Sequence, residues 1–171
     1  GFSAVNTDST DRKQRAERLD EALEILELGQ VGESFSFNGK HFQVIDMTLQ
    51  PRPVQDRIPV WSVAGWPHEK SLARAARWDG IIPVDMSPGK DPFSPVQPDV
   101  LREIVAWCQA HHEASKPFDV VIEGRTEDAN DTDYVGSIAE AGGTWFIESR
   151  WADEETPESL LRRIQAGPPR V

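Results

Sequence analysis

Two arginines follow apolar runs in the second half of the chain, where their side chains can bind an anion. Arg125 comes directly after the run 118–124, and Arg150 follows the run 144–148. A guanidinium at the end of a strand can pair with a carboxylate or a phosphate. The alternative is a surface ion pair with a nearby acid such as Glu127 or Asp153. Both interpretations stay open on the sequence alone.

Proton transfer is the second chemistry that the sequence allows. Glu148 ends the last apolar run and can act as an acid or a base. Because it has no visible partner, a structural role is the alternative. His68 stands at a predicted helix start beside Trp66, where either proton transfer or a surface position is compatible with the pattern. The histidines show no metal-ligand spacing, and the only cysteine, Cys108, lies in an apolar helical segment that predicts a buried, inert thiol.

Alternating strands and helices must position these side chains. From residue 59 onward, the sequence predicts strands at 59–64, 80–84, 118–124 and 144–148. It predicts helices at about 67–77, 98–114, 131–140 and 156–167, with Pro67 in a first turn and Leu160, Leu161 and Ile164 turned inward. Such alternation is typical of a parallel sheet with right-handed crossovers. Strand and helix counts alone leave an open sheet and part of a barrel as alternatives.

A helix and a hairpin are predicted upstream of these units. The helix is capped by Thr10 or Asp11, runs to about Leu28, and is ended by Gly29 and Gly32. The apolar stripe that faces a core is predicted to consist of Ala16, Leu19, Ala22, Leu23 and Leu26. Its opposite face is predicted to be solvated and carries Arg15, Glu17, Arg18, Glu21 and Glu24. Asn38-Gly39 between two alternating runs predicts a two-residue hairpin turn.

Composition narrows the class of protein. The 171 residues suffice for one domain, and the net charge of −11 argues against nucleic acid and anionic membranes as partners. One cysteine excludes an intramolecular disulfide, and we find no apolar run of membrane-spanning length and no signal peptide. We therefore expect a reduced, cytoplasmic compartment. Because the chain starts with Gly1, we also expect a piece of a longer ancestral chain or a start after a removed tag.

Five segments resemble the bacterial luciferase-like monooxygenases in order and spacing. Segment 15–26 is similar to the helix after the fourth strand of that family, and segment 35–42 carries an F-x-G-x-x-F hairpin pattern. Segments 51–55, 58–61 and 75–80 complete the series. The resemblance covers nearly the whole chain.

The resemblance implies a partial TIM (β/α) barrel, with four parallel βα units preceded by a helix and a β-hairpin. Residues 1–171 then form a single domain that corresponds to strands five to eight of an eight-stranded barrel. The implied function is a flavin- or deazaflavin-dependent oxidoreductase or monooxygenase with FMN or a deazaflavin as cofactor. Because the family's first four strands carry much of the flavin and substrate pocket, we expect little activity from this chain alone. The alternative is a non-catalytic relative that folds as a dimer or interaction module.

The resemblance also implies where a cofactor would bind. In such barrels, ligands bind at the carboxyl ends of the strands. The family's phosphate position maps to Ala64, Gly65 and Trp66, with Arg125 and Arg150 as further cofactor-binding residues. Trp66 differs from the small polar residues often found at that position, and a plain tight turn is the alternative. The sequence does not indicate which residues carry out catalysis.

An incomplete barrel implies a partner. Four βα units leave two open strand edges, and exposed edges promote association. We expect the uncovered inner face to carry Val60, Ser62, Ile82, Val120 and Ile122 or their neighbours. Two half-barrels that close against each other would form a homodimer. A sheet edge capped by the N-terminal segment and hairpin is the alternative.

Overall fold

A computed structural model describes residues 11–150 and 155–170 of the chain. The expected loop at 1–10, Trp151 and Asp153 lie outside the described residues. The described part divides into two compact units, Gly1–Ile58 and Pro59–Val171. Within the described residues, no helix combines the length and apolarity that crossing a bilayer requires.

The first unit contains the predicted helix and hairpin. Helix α1 spans Arg12–Gln30, and the Asp11 carboxylate caps it by accepting a 2.8 Å hydrogen bond from the amide of Gln14. Strands β1 (Phe35–Asn38) and β2 (Gln43–Met47) pair antiparallel. The helix continues through Gly29 to Gln30, and Gly32, the second glycine predicted to end it, follows the C-cap Val31 with a φ of 76°. Gly29 is buried there, where an added Cβ would lie 3.1 Å from Leu49 Cγ.

The hairpin turn is longer than predicted. Asn38 pairs with Gln43, so residues 39–42 connect the strands instead of Asn38-Gly39 alone. The carboxylate of Glu21 accepts hydrogen bonds from the amides of Lys40, His41 and Phe42 at 2.8–2.9 Å. These hydrogen bonds from the loop to α1 hold the wider loop in place. The Asn38-Gly39 pair that predicted the turn contains no information about a contact with another element.

The two faces of α1 also differ from the prediction. Of the apolar stripe that was expected to face a core, Leu19 and Leu26 are exposed, whereas Ala16, Ala22 and Leu23 are half-buried. On the face predicted to be solvated, Glu17 binds Lys40 Nζ at 2.7 Å and His41 Nε2 at 2.8 Å. The hairpin loop therefore contacts the charged face of the helix through ion pairs and hydrogen bonds.

The second unit is a four-stranded parallel sheet, as predicted. Its strands are β3 (Trp61–Trp66), β4 (Gly80–Asp85), β5 (Asp119–Gly124) and β6 (Trp145–Glu148), in spatial order β3-β4-β5-β6. Helices α2 (Glu69–Ala75), α3 (Pro98–His111), α4 (Thr132–Glu140) and α5 (Pro157–Ala166) alternate with them. This βα order is consistent with part of a TIM-like barrel.

The start of this unit is shifted relative to the prediction. Strand β3 begins at Trp61 instead of residue 59 and extends to Trp66, which pairs with Asp85. Pro67 is therefore not in the first turn of α2, because His68 is the N-cap and the helix begins at Glu69. The amide of Met86 donates to the carbonyl of Trp66 at 2.8 Å and extends the pairing past the predicted strand end.

Helices cover one face of the sheet and form the core with it. Ile81, Val120 and Ile122 are buried in the same cluster as Leu101 and Ile104 of α3. Side chains alternate between the two faces along a strand. The residues next to these buried ones therefore point to the opposite face of the sheet. That face carries Val63, which is 61% exposed and pairs with Ile82, together with Trp145 and Ile147.

The structure decides between the residues expected on the uncovered face and their neighbours. Ile82 belongs to it, whereas Ser62, Val120 and Ile122 are buried. Val120 pairs with Ile81 and shares its helix-covered side. The sequence pattern of apolar runs did not distinguish the two faces, because both are apolar.

Helix α5 has no buried residue, which contradicts the expected inward stripe. Leu160, Leu161 and Ile164 are all exposed. The helix start is stabilised by Thr156 and Ser159, whose side chains each accept a hydrogen bond from the other's amide. Local capping and polar contacts thus hold this helix, and its apolar side chains are left uncovered.

Candidate functional site

The carboxyl ends of β4, β5 and β6 border an open cleft of about 840 Å³. One wall is apolar and comes mainly from the loop after β4, with Pro83, Val84, Pro92, Phe93, Ser94, Pro95 and Val96. The other wall is polar and comes from the strand ends, with Glu123, Gly124, Arg125, Ser149 and Arg150. A cleft of this size, with mixed walls, falls in the range of small-molecule sites.

The cleft brings together two of the five predicted cofactor-binding residues. Arg125 and Arg150 both line it. Ala64, Gly65 and Trp66 lie at the end of β3 and are not among the lining residues. The proline-rich loop at 86–97, which the sequence identified only as a loop, supplies most of the apolar wall.

The backbone around Gly65 forms a closely packed turn. Its amide donates to Ser71 Oγ at 3.1 Å, and its carbonyl accepts from the amide of His68 at 2.9 Å. A Cβ at this position would lie 2.6 Å from Met86 Sδ, so any other residue would require the flexible Met86 side chain to move. The glycine thus permits close approach of a neighbouring side chain. The side chain of His68 is exposed and makes no capping hydrogen bond.

Arg150 and Arg125 are held differently. Arg150 is 10% exposed; its Nε donates to Glu148 at 2.8 Å, one terminal nitrogen donates to Glu155 at 2.9 Å, and the other donates to the carbonyl of Thr126. Arg125 is 39% exposed and forms an ion pair with Glu155 at 3.3 Å, a partner other than the predicted Glu127 or Asp153. Arg125 therefore has the more accessible guanidinium in the cleft.

Glu148 is not the lone carboxylate that the sequence suggested. It accepts hydrogen bonds from the amide of Thr126 at 3.1 Å, the hydroxyl of Thr126 at 2.5 Å, Arg150 at 2.8 Å and Arg163 at 3.2 Å. Burial alone raises the pKa of Glu148, but these hydrogen bonds from Thr126 and Arg150 outweigh it and lower the pKa below its ordinary value. The group therefore stays ionised and suits a structural role better than proton transfer.

Thr126 is the residue that sequence reasoning missed. It is fully buried, its hydroxyl accepts a 2.6 Å hydrogen bond from Arg163, and its carbonyl accepts one from Arg150. No local pattern marks a threonine after a strand as the centre of an ion network. The only signal was the proximity of its neighbour Arg125 to a strand end.

A second carboxylate stabilises the end of β4. Asp85 is buried and accepts a 3.0 Å hydrogen bond from the amide of Ser87. Hydrogen bonding by Ser87 lowers the pKa of Asp85, although burial opposes it. Asp85 therefore anchors the start of the loop that forms the apolar wall of the cleft.

The residues of the cleft fit an organic anion better than a metal ion. Within the described parts of the chain, no group of three or more His, Cys, Asp or Glu side chains is arranged to hold a metal. The exposed guanidinium of Arg125 and the hydroxyl of Ser149 are donors suited to a phosphate, and the proline-rich wall suits a flat ring. The chemistry of this donor set is compatible with a flavin.

Comparison with known proteins identifies the family. No curated protein matches the chain. A model of the luciferase-like monooxygenase family matches residues 1–92, which include α1, the hairpin, β3 and β4. The matched segment is more than half of the 171 residues. The chain therefore belongs to the luciferase-like monooxygenase family.

Proposed function

We propose that residues 1–171 act as one domain, the second half of a flavin- or deazaflavin-dependent luciferase-like oxidoreductase. The observation that carries this proposal is the parallel sheet β3–β6, with helices on one face and a cleft at the carboxyl ends. Barrel enzymes place their active sites at that end of the strands. Membership in the monooxygenase family supports the same reaction class.

We assign the cofactor, FMN or a deazaflavin, to the carboxyl ends of the strands. Arg125 would pair with its phosphate, and Arg150 would hold Glu155 and Thr126 in place behind it. Ala64, Gly65 and Trp66, at the end of β3, would lie beside the cofactor. In the structure, the side chain of Met86 packs against Gly65. When bound, the flavin supplies the hydride or oxygen chemistry. The chain itself positions the cofactor and excludes water with the proline-rich wall.

Titration of FMN and of a deazaflavin into the purified chain, followed by fluorescence, tests this proposal. We expect a dissociation constant below ~100 μM, equivalent to about −5.5 kcal/mol. Replacing Arg125 by Gln removes a charged donor and should weaken binding about tenfold. The matched control is Arg102→Gln, at an exposed position of α3.

Failure of both cofactors to bind at ~100 μM would support the second candidate. In that case the chain is a non-catalytic relative that associates with itself. The observation favouring it is the exposed apolar face of the sheet, with Val63 and Trp145 on the terminal strands β3 and β6. Open edges and apolar patches promote association.

We propose a homodimer that closes through these strand edges under either function. Size-exclusion chromatography with light scattering measures the mass directly. A particle of twice 19.1 kDa is expected at micromolar concentration. A monomer under the same conditions would contradict the homodimer and leave the cofactor proposal to its own titration.

A further inference from the structure

Glu123 is a carboxylate that the internal ion network leaves unused. It lies on β5, is exposed, and pairs in register with Ile147 of β6. Its side-chain carboxylate makes no hydrogen bond or ion pair with another residue of the described ranges 11–150 and 155–170. Its nearest cation along the chain, Arg125, binds Glu155 instead.

Glu123 also marks the point where two clefts meet. It lines the cleft at the strand ends and a second cleft of about 390 Å³ between β6 and α5. The second cleft has an apolar wall formed by Ile147, Leu160 and Ile164. Two of the three exposed apolar side chains of α5 that the sequence placed inward, Leu160 and Ile164, therefore line this cleft.

The other charges of the second cleft are already matched. Arg150 and Arg163 line it, but each is 10% exposed and both donate to Glu148. The guanidinium groups are thus directed into the buried network around Thr126. Glu123 remains as the open charge beside the apolar wall.

We propose that this cleft binds a small organic amine, with Glu123 pairing with the cationic nitrogen and the apolar body packing against Ile147 and Leu160. A carboxylate beside apolar side chains is costly to cover unless a cation or hydrogen-bond donor meets it. An amine with an apolar body would pair with the carboxylate of Glu123 and also cover the apolar wall. This inference concerns a ligand other than the flavin and does not require the flavin to bind.

Three probes with the same aromatic body test the proposal: 2-phenylethylamine, 3-phenylpropionate and 2-phenylethanol. Their dissociation constants are measured on the full chain by ligand-observed NMR. Because Glu123 is exposed and water screens its charge, the amine should bind about threefold more tightly than the alcohol. The carboxylate should bind most weakly, because it is repelled by Glu123.

Variants identify the residue responsible. In Glu123→Gln the preference for the amine should disappear, and in Glu123→Lys it should reverse in favour of the carboxylate. The matched control, Glu103→Gln, changes an exposed glutamate of α3 and should keep the wild-type order. Circular dichroism checks that each variant is folded, and the charge-reversed variant provides a second test if the first one is unstable.

Three results would overturn the proposal: no detectable amine binding at millimolar concentration, equal binding of amine and alcohol, or an amine preference that survives in Glu123→Gln. Tighter binding of 3-phenylpropionate to the wild-type chain would show that the arginines dominate the cleft and would also overturn it. The flavin titration is separate, so each proposal can fail while the other stands.

Discussion

The hydroxyl of Thr126 donates a 2.5 Å hydrogen bond to the carboxylate of Glu148, across the carboxyl ends of β5 and β6. The amide of the same threonine donates to the other carboxylate oxygen at 3.1 Å. A single buried residue thus links two neighbouring strands and accepts Arg163 from α5 as well. The relative positions of the cleft residues depend on this contact.

Removing the Thr126 hydroxyl should destabilise the second unit. In Thr126→Val, Glu148 and Arg163 each lose a hydrogen-bond partner, and a loss of this kind typically costs about 1–3 kcal/mol. We expect the free energy of unfolding of Thr126→Val, measured by urea denaturation, to be lower than that of the wild-type chain by this amount. Thr126→Ser keeps the hydroxyl and serves as the control, with a smaller loss. Equal stability of the Val and Ser variants would show that the hydrogen bond contributes nothing.

Acid should weaken the contact between α1 and the hairpin. The ammonium of Lys40, followed by His41, lowers the pKa of Glu17 from 4.5 to about 2. A lowered folded-state pKa means that the stabilisation is complete above the ordinary value of 4.5 and is lost as the pH falls through about 2. In Glu17→Gln the unfolding free energy should change less over this range. A Glu17 titration midpoint near 4.5 by NMR would contradict the ion pairs.

The carboxylate of Glu21 should protect the hairpin loop from hydrogen exchange. It accepts the amides of Lys40, His41 and Phe42. Glu21→Gln replaces a charged acceptor by a neutral amide, so we expect exchange of these amides to accelerate about tenfold. Glu33→Gln, at an exposed position after α1, is the matched control. Unchanged exchange in Glu21→Gln would mean that the loop holds its shape without the helix.

Cys108 should be unreactive in the folded chain. It is 2% exposed, and burial raises the pKa of its thiol to about 11. Because the thiolate is the reactive form, a disulfide reagent at pH 8 should modify the native protein slowly and the urea-unfolded protein at once. If the native protein reacted completely and as fast as the unfolded protein, the burial of Cys108 in the core between α3 and the sheet would be contradicted.

The sequence was most reliable where one segment determined its own structure. The four apolar runs predicted all four parallel strands, because short apolar segments between helices can only be buried in a sheet covered by those helices. Asp11, Pro98 and Thr156 predicted helix starts that the structure confirms, since capping depends on the residues of one turn. The burial of Cys108 followed from its apolar neighbours.

The sequence was least reliable where residues distant along the chain meet. Thr126 and Glu148 are separated by a whole helix, and only the parallel pairing of β5 with β6 brings them into contact. The hairpin turn was too short in the prediction, because the carboxylate of Glu21 that holds the wider loop lies on another element.

The sequence by itself determined the order of strands and helices, the family and the burial of the thiol, because local periodicity and capping contain that information. The tertiary structure decided which face of the sheet stays uncovered, which arginine remains accessible and that the carboxylate of Glu123 has no partner among the described residues. Those features depend on strand register and on side chains converging from different elements. A register shift of one residue reverses the side on which every strand residue points, and no single segment of the chain encodes that choice.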